Sequence, residues 1–340
     1  MSNCAAFIAS QGAKATVGDA PMPKVKPGSV VVKNKAVAIN PVDWKMRDFG
    51  IMVPFWPAIM GFDSAGEIHA VDDTISDDFK VGRRVLVRAN GLMVRDTEQA
   101  AFQLYTTAPS SQVALIPDNI SFEAAASLPM SIATAAAGLY EEDSLKLDLP
   151  TARKSRSAPE SKKAILIWGA ASSVGCSAVQ LARASGIKVI ATASSKNFDL
   201  VRSLSANMVV DYRDPNVVEK LYSAFKDHES VGAFDSVGLN SEQCIQVLGK
   251  LAGGHVATVL PSLVKDFPKG VTTHQVRATS ITESSVGKIL FHDFLPKALA
   301  DGTFVPAPET VVVGHGLGTI EDGLARMKAG VSAQKLIVTL

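Results

Sequence analysis

Cysteine is scarce in this chain of 340 residues: there are three, Cys4, Cys176 and Cys244, odd in number and far apart. That excludes a disulfide framework and a Cys-x-x-Cys metal knuckle, and it suits a reducing compartment. No stretch approaches the ~18 consecutive apolar residues of a membrane span, and no basic region leads into an apolar run near the N-terminus, so a cytoplasmic protein without a membrane partner is expected. Excess charge is missing as well. With 34 basic against 33 acidic side chains the net charge is +1, which offers a nucleic acid nothing to hold. The six histidines show no ligand spacing, and no Gly-x-Ser-x-Gly elbow follows a strand, so neither a metal motif nor a serine hydrolase is indicated.

What is there is apolar material enough for two packed domains: 47% of the residues are hydrophobic. The first 120 or so residues carry short valine-rich runs, Gly28 to Ile39 and Arg84 to Arg88 among them, cut at close intervals by Pro and Gly. That is a strand-rich, turn-rich texture. At Ser121 it changes to alanine-rich helix, with Ser121 as a cap and Pro129 opening a second helical segment. Residues 143–163 are poor in large apolar groups and rich in Pro, Ser, Lys and Arg, and read as a mobile surface insertion.

Beyond the insertion, apolar strands alternate with helical segments: AILIW from Ala164, KVIATA from Lys188, MVVDY from Met208, AFDSVG from Ala233 and HVATVL from His255. Strands that are continuously apolar must be covered on both faces, which requires a parallel sheet with crossover helices, an α/β doubly wound domain. The last 70 residues return to strands, ETVVVG and KLIVTL, around a helix bearing Ile320, Leu324 and Met327 and ending at Gly330. These strands are expected to rejoin the first domain.

Between the first strand and helix of the α/β region, Gly169, Ser172 and Gly175 recur at intervals of three. Such a turn, with Ala171, Ser173 and Val174 completing it, lets backbone amides approach a pyrophosphate at the positive end of the next helix. Tight packing alone is the alternative for the isolated motif, and the surrounding β-α-β-α-β pattern favours a dinucleotide. At the end of the second strand, where an NAD site would place a carboxylate, the chain reads Ser194, Ser195, Lys196. Two hydroxyls and an ammonium suit a ribose phosphate, so NADPH is expected as cofactor, although a serine here can also cap the following helix. Tyr212 and Arg213 end the third strand, where a ring and a cation can flank the adenine.

The segments INPVDWK (Ile39 to Lys45), PAIMGFDSAGEI (Pro57 to Ile68), FKVGRRV, AASLPMSIATAAAGL, ILIWGAASSVG and ATASSKNFDLVRSLSANMVVDYR resemble the medium-chain dehydrogenase/reductase superfamily along nearly the whole chain. The resemblance implies a chaperonin-10-like β-rich catalytic domain from residues 1–125 and 270–340, a Rossmann nucleotide domain from 126–269, and hydride transfer in the cleft between them. Zinc-dependent members carry a Cys near the Asn40 position and Gly-His-Glu where this chain has Gly61, Phe62 and Asp63, so no zinc is expected. Zinc-free members are typically enoyl and quinone reductases. NPVDWK, SSKNFDLV and VVDYR, with the insertion, look most like the fungal enoyl reductases that act in trans with polyketide synthases.

By that resemblance Lys45 supplies a positive charge or proton beside the nicotinamide and Asp43 orients it, with a surface lysine on a turn as the alternative. Thr134 lies near the substrate carbonyl, or bonds back to its own helix. Asn40 contacts the cofactor carboxamide, Ser236, Val237 and Gly238 line the nicotinamide ribose, and Val259 and Leu260 hold the ring from the other side. Reduction of an activated carbon-carbon double bond is the expected activity, with an NADPH quinone oxidoreductase and a non-catalytic nucleotide sensor or scaffold as alternatives. A carrier domain of a synthase could dock on the basic side chains Arg153, Lys154, Arg156, Lys162 and Lys163. Monomer and homodimer are both compatible with the sequence.

Overall fold

The computed structural model describes residues 2–75, 78–151 and 162–340. The strands follow in the order β1 (Asn3–Ile8), β2 (Ala15–Ala20), β3 (Ser29–Ile39), β4 (Ala58–Ile59), β5 (Asp63–Val71), β6 (Arg84–Arg88), β7 (Tyr105–Pro109), β8 (Val113–Leu115), β9 (Lys163–Trp168), β10 (Lys188–Ala193), β11 (Met208–Asp211), β12 (Glu229–Asp235), β13 (Gly254–Thr258), β14 (Val271–Gln275), β15 (Glu309–His315) and β16 (Gln334–Thr339). The helices are α1 (Pro41–Phe49), α2 (Phe122–Ala126), α3 (Pro129–Tyr140), α4 (Ser173–Ala184), α5 (Phe198–Ser203), α6 (Val217–Ala224), α7 (Ser241–Lys250), α8 (Ser285–Lys288), α9 (Leu295–Ala300) and α10 (Ile320–Ala329).

The chain forms two compact units. The first takes the chain up to Met130, Phe291–Gly302 and Glu309–Leu340. Its larger sheet runs β15-β16-β3-β5-β6-β8, with β7 pairing the other half of β3. β3 is the spine: it pairs antiparallel with β16, β5 and β7 along its eleven residues. As the sequence pattern required, the C-terminal strands rejoin this unit. Ile320, Leu324 and Met327 of α10 are all buried against it, and a Cβ on Gly323 would sit 2.9 Å from Ile39 Cγ1, so the glycine lets helix and sheet close up.

The second unit, Ser131–Leu290 with Thr303–Pro308, contains a six-stranded sheet in the order β11-β10-β9-β12-β13-β14, every pair parallel. This is the doubly wound arrangement expected from the alternating pattern. The order reverses between β9 and β12, the position at which such sheets hold a ligand beyond their strand ends.

Two boundaries differ from expectation. The family resemblance puts Val271 to Gln275 in the returning catalytic domain, but they pair residue for residue with Gly254 to Thr258 as the sixth parallel strand, and the chain leaves this unit only at Phe291. The insertion also begins later than its composition suggests. Leu145 is 8% exposed and packs on Gly232, and the amides of Leu145 and Leu147 bond to the carbonyls of Gly138 and Leu139, so residues 144–147 fold back on the end of α3, while the Thr151 amide bonds to the Ala184 carbonyl at the end of α4. Arg153, Lys154 and Arg156 lie outside the described residues; Lys162 and Lys163 are exposed at the start of β9. The stretch Phe122–Tyr140 is long and apolar enough to cross a membrane by composition alone, but 72% of it is buried inside the fold, as a core segment requires.

Candidate active site

The glycine turn after β9 is built by exclusion of side chains. Gly169 has φ +73°, and a Cβ there would lie 2.3 Å from Val237 Cγ2. A Cβ on Gly175 would lie 2.4 Å from the Gly169 carbonyl oxygen, so α4 can approach β9 only because position 175 is bare. Ser172 caps α4, its Oγ accepting from the Gly175 amide at 3.0 Å. The first-turn amides of Ser173 and Val174 have no carbonyl to meet within the helix, and they add to the positive pole of its dipole. Ala171 is buried beneath them.

Across the reversal point, the end of β12 closes on the same turn. Ser236 Oγ donates to the Trp168 carbonyl at 2.7 Å and lies 3.1 Å from Ser172 Oγ. The loop that follows is wound around Asp235, whose carboxylate accepts from the amides of Val237, Gly238 and Asn240 at 3.1, 2.9 and 2.8 Å. Burial pushes the Asp235 carboxyl up from its ordinary range, and the three amides oppose that. Gly238, at φ +81°, packs on Leu260, and Val259 bonds to the Asp235 carbonyl. The structure therefore gathers Gly169 to Gly175, Ser236 to Gly238, Val259 and Leu260 at one end of the sheet.

At the end of β10, Ser194 is buried and its hydroxyl accepts from Asn197 Nδ2 at 3.2 Å, while Ser195 and Lys196 are exposed. Ser194 opens a 3-10 turn there but makes no side-chain bond to a backbone amide. Asp211, which the sequence reading passed over, stands beside them. Its carboxylate accepts from the Arg213 amide at 2.9 Å and the Ser195 amide at 3.1 Å, and these bonds, the Arg213 amide foremost, hold its carboxyl below the usual range. Arg213 lies 5.2 Å over the exposed Tyr212 ring.

In the first unit, Lys45 is half-buried on α1, a helix rather than a turn, with its Nζ 5.8 Å from the Trp44 ring centroid. Pro41 sets the first helical position and Asp43 Oδ2 accepts from the Asn40 amide at 2.7 Å, within a capping box. Asp43 is thus not placed to orient Lys45: two positions along a helix point some ~200° apart, and its carboxylate turns back to the helix start. It is wholly buried, which raises its pKa to about 7. Asn40 stands at the start of the same helix. Its side chain is 95% covered and committed within its own unit, accepting from Lys335 Nζ at 2.6 Å and donating to Asp63 Oδ2 at 2.8 Å. Thr134 is the one residue between Ser131 and Tyr140 on α3 that is not buried.

Lys335 was not singled out in the sequence. It bridges Asn40 Oδ1 and Asp63 Oδ2, the latter at 2.9 Å, while Asp63 Oδ1 accepts from the Met130 amide at 2.6 Å. Arg88, opposite Asp63 in the β5–β6 register, is buried as well, and burial pushes its pKa down to about 10 against the attraction of Asp63. At the positions where zinc ligands would stand, the chain thus presents an amide, a phenyl ring and a carboxylate already bound to an ammonium. Among the described residues no cluster of three or more His, Cys, Asp or Glu side chains is suited to a metal ion. This donor set does not fit zinc, whose protein ligands are thiolate, imidazole and carboxylate: the three positions offer one carboxylate, already engaged by Lys335 and Asn40.

Residues 26–118 match the alcohol dehydrogenase GroES-like domain, and residues 173–294 match the zinc-binding dehydrogenase domain. A dehydrogenase of Monascus ruber, pigH, is 39% identical over 352 aligned residues covering 94% of each chain. The trans-enoyl reductase himH of Aspergillus japonicus is 38% identical over 320 residues, 92% of this chain and 89% of its own. Among solved structures, a mycobacterial protein complexed with NADPH superposes with a TM-score of 0.71 at 20% identity, over 99% of this chain and all of its own. With a GroES-like unit, an all-parallel nucleotide sheet and relatives of this closeness along its length, the chain belongs to the medium-chain dehydrogenase/reductase superfamily.

Proposed function

We propose that this oxidoreductase is an NADPH-dependent, zinc-independent reductase of an activated carbon-carbon double bond, acting in trans on enoyl intermediates carried by a polyketide synthase. The observation that carries the reading is the donor set around Asn40 and Asp63, which holds an ammonium where a catalytic metal would need thiolate and imidazole. A conjugated enoyl group asks for less than a Lewis acid: hydride at its β carbon, a cation or donor for the enolate oxygen, and a proton at its α carbon. The trans-enoyl reductase relative supports the same substrate class.

The glycine turn and the N-terminus of α4 fit a pyrophosphate, since both glycines are places that a Cβ would fill. Ser195 and Lys196, exposed at the end of β10, suit the ribose phosphate that distinguishes NADPH. When bound, this cofactor supplies the hydride. Ser236, Val237 and Gly238 border the site on the β12 side, and the Asp235 carboxylate keeps their loop in shape. Lys45 offers its cation to the oxygen on which charge develops, and Thr134 offers a hydroxyl from α3.

The test is to follow NADPH absorbance with a short enoyl thioester and, in parallel, a quinone. Faster oxidation with the thioester supports the reading; preference for the quinone, or no oxidation with either, overturns it. Lys45→Ala that binds NADPH normally yet turns over at the wild-type rate would remove Lys45 from the reaction.

A further inference from the structure

Three neighbouring strands bring one residue each to a single buried point. Lys335 lies on β16, Asn40 follows directly on β3, and Asp63 opens β5. Lys335 is 2% exposed and Asp63 is fully covered. An ammonium this deep is stable only when its hydrogens are engaged, and two acceptors 23 positions apart in the chain share it.

Asn40 is the residue on which α1 begins. An N-cap side chain ordinarily serves its own helix alone, but the Asn40 amide, besides its part in the capping box with Asp43, is engaged by Lys335 and Asp63. The arrangement fixes the place of the helix start. Asn40 is tied by its backbone amide to Asp43 and by its side chain to β16 and β5, with Pro41 setting the next backbone angle. The far end of α1 is tied separately, through Arg47 to Glu321 at 2.8 Å and through Asp48 to Lys328 at 2.7 Å. Lys45 rides between these two anchors.

We infer that Lys335 is a positioning residue: by binding Asn40 and Asp63 at once, it fixes the N-terminus of α1 and with it the point from which Lys45 meets the reacting oxygen. The inference rests on the enoyl reductase reading above. A displaced cation loses much of its hold on developing charge, so Lys335→Met is expected to lower kcat on the order of tenfold to a hundredfold, leaving NADPH affinity unchanged because the nucleotide residues belong to the other unit. Lys335→Arg, which keeps a cation, recovers part of the rate.

The discriminating measurement is a double-mutant cycle with Lys45→Ala. If Lys335 acts through Lys45, adding Lys335→Met to Lys45→Ala costs nothing further in kcat; if it affects turnover independently of Lys45, the two losses multiply and the inference falls. Should Lys335→Met fail to fold, Asp63→Asn/Lys335→Met removes both charges together and goes through the same cycle. Turnover by a folded Lys335 variant at the wild-type rate overturns the inference but leaves the reaction reading intact. A wild type that consumes no NADPH with an enoyl thioester overturns that reading, and the inference with it.

Discussion

Lys335 and Asp63, 272 positions apart in the chain, meet at 2.9 Å with both side chains buried. A buried pair of this kind costs more to break than to replace. Asp63→Asn leaves the ammonium without its hydrogen-bonded counter-charge and turns one end of the new amide into a donor, facing either the Met130 amide or Asn40 Nδ2. A loss of about 3–5 kcal/mol in unfolding free energy is expected, with much of it regained when Lys335→Met is added. Chemical denaturation of the two variants checks this, and a double variant no more stable than Asp63→Asn would contradict it.

The glycine turn makes a sharper distinction between steric and conformational demands. Gly175→Ala drives a methyl to 2.4 Å from the Gly169 oxygen, so α4 must move off β9 and carry its N-terminus with it. NADPH affinity should fall by at least about tenfold, roughly 1.4 kcal/mol. Gly186→Ala is the control. Position 186 has φ +76° but open space around it, so alanine there costs only about 1 kcal/mol of backbone strain and leaves binding alone. Fluorescence titration of both variants with NADPH reads the difference.

Coenzyme choice is the third outcome. Ser195 and Lys196 face solvent, while the nearby Asp211 carboxylate is turned onto two backbone amides. Lys196→Ala should weaken NADPH on the order of tenfold, the worth of one charge-assisted contact of about 1.5 kcal/mol, and leave NADH unaffected. Kd values for the two nucleotides give the ratio directly, and equal weakening of both would place the phosphate elsewhere.

How far the sequence revealed all this depends on range. Local signals were clear: the alternation of β9 to β13 with helices, the bare positions 169 and 175, and the apolar stripe of α10 each follow from neighbours a few residues apart. The start of α1 is also legible, since Asn40-Pro41-x-Asp43 is a helix opening, which speaks against the turn offered as the alternative for Lys45. β14 was missed because VTTHQ carries little apolar weight and its neighbour β13 decides its pairing. Lys335 could not be found locally at all. It is the second residue of an ordinary strand, and its meaning comes from Asn40, 295 positions away, a contact that only the assembled β16-β3-β5 sheet creates.

Asp43 closes the set with a pH dependence whose sign is fixed. Burial, foremost, raises its carboxyl from an ordinary 3.8 to about 7, with the nearby Asp63 adding to the rise and the Asn40 amide and Lys335 opposing it. Between those two values the folded protein holds a proton that the unfolded chain has released. Stability from this group is therefore fully present below about 3.8, declines as pH rises, and is lost by the time pH has passed about 7. Asp43→Asn has no proton to lose and keeps an oxygen for the Asn40 amide. Its stability relative to wild type should grow across that window, on the order of a few kcal/mol at most, and stay level above it. Thermal unfolding of both proteins from acid to mildly alkaline pH measures the gap, and a gap that stays constant or narrows as pH rises would show that Asp43 stays ionised in the fold.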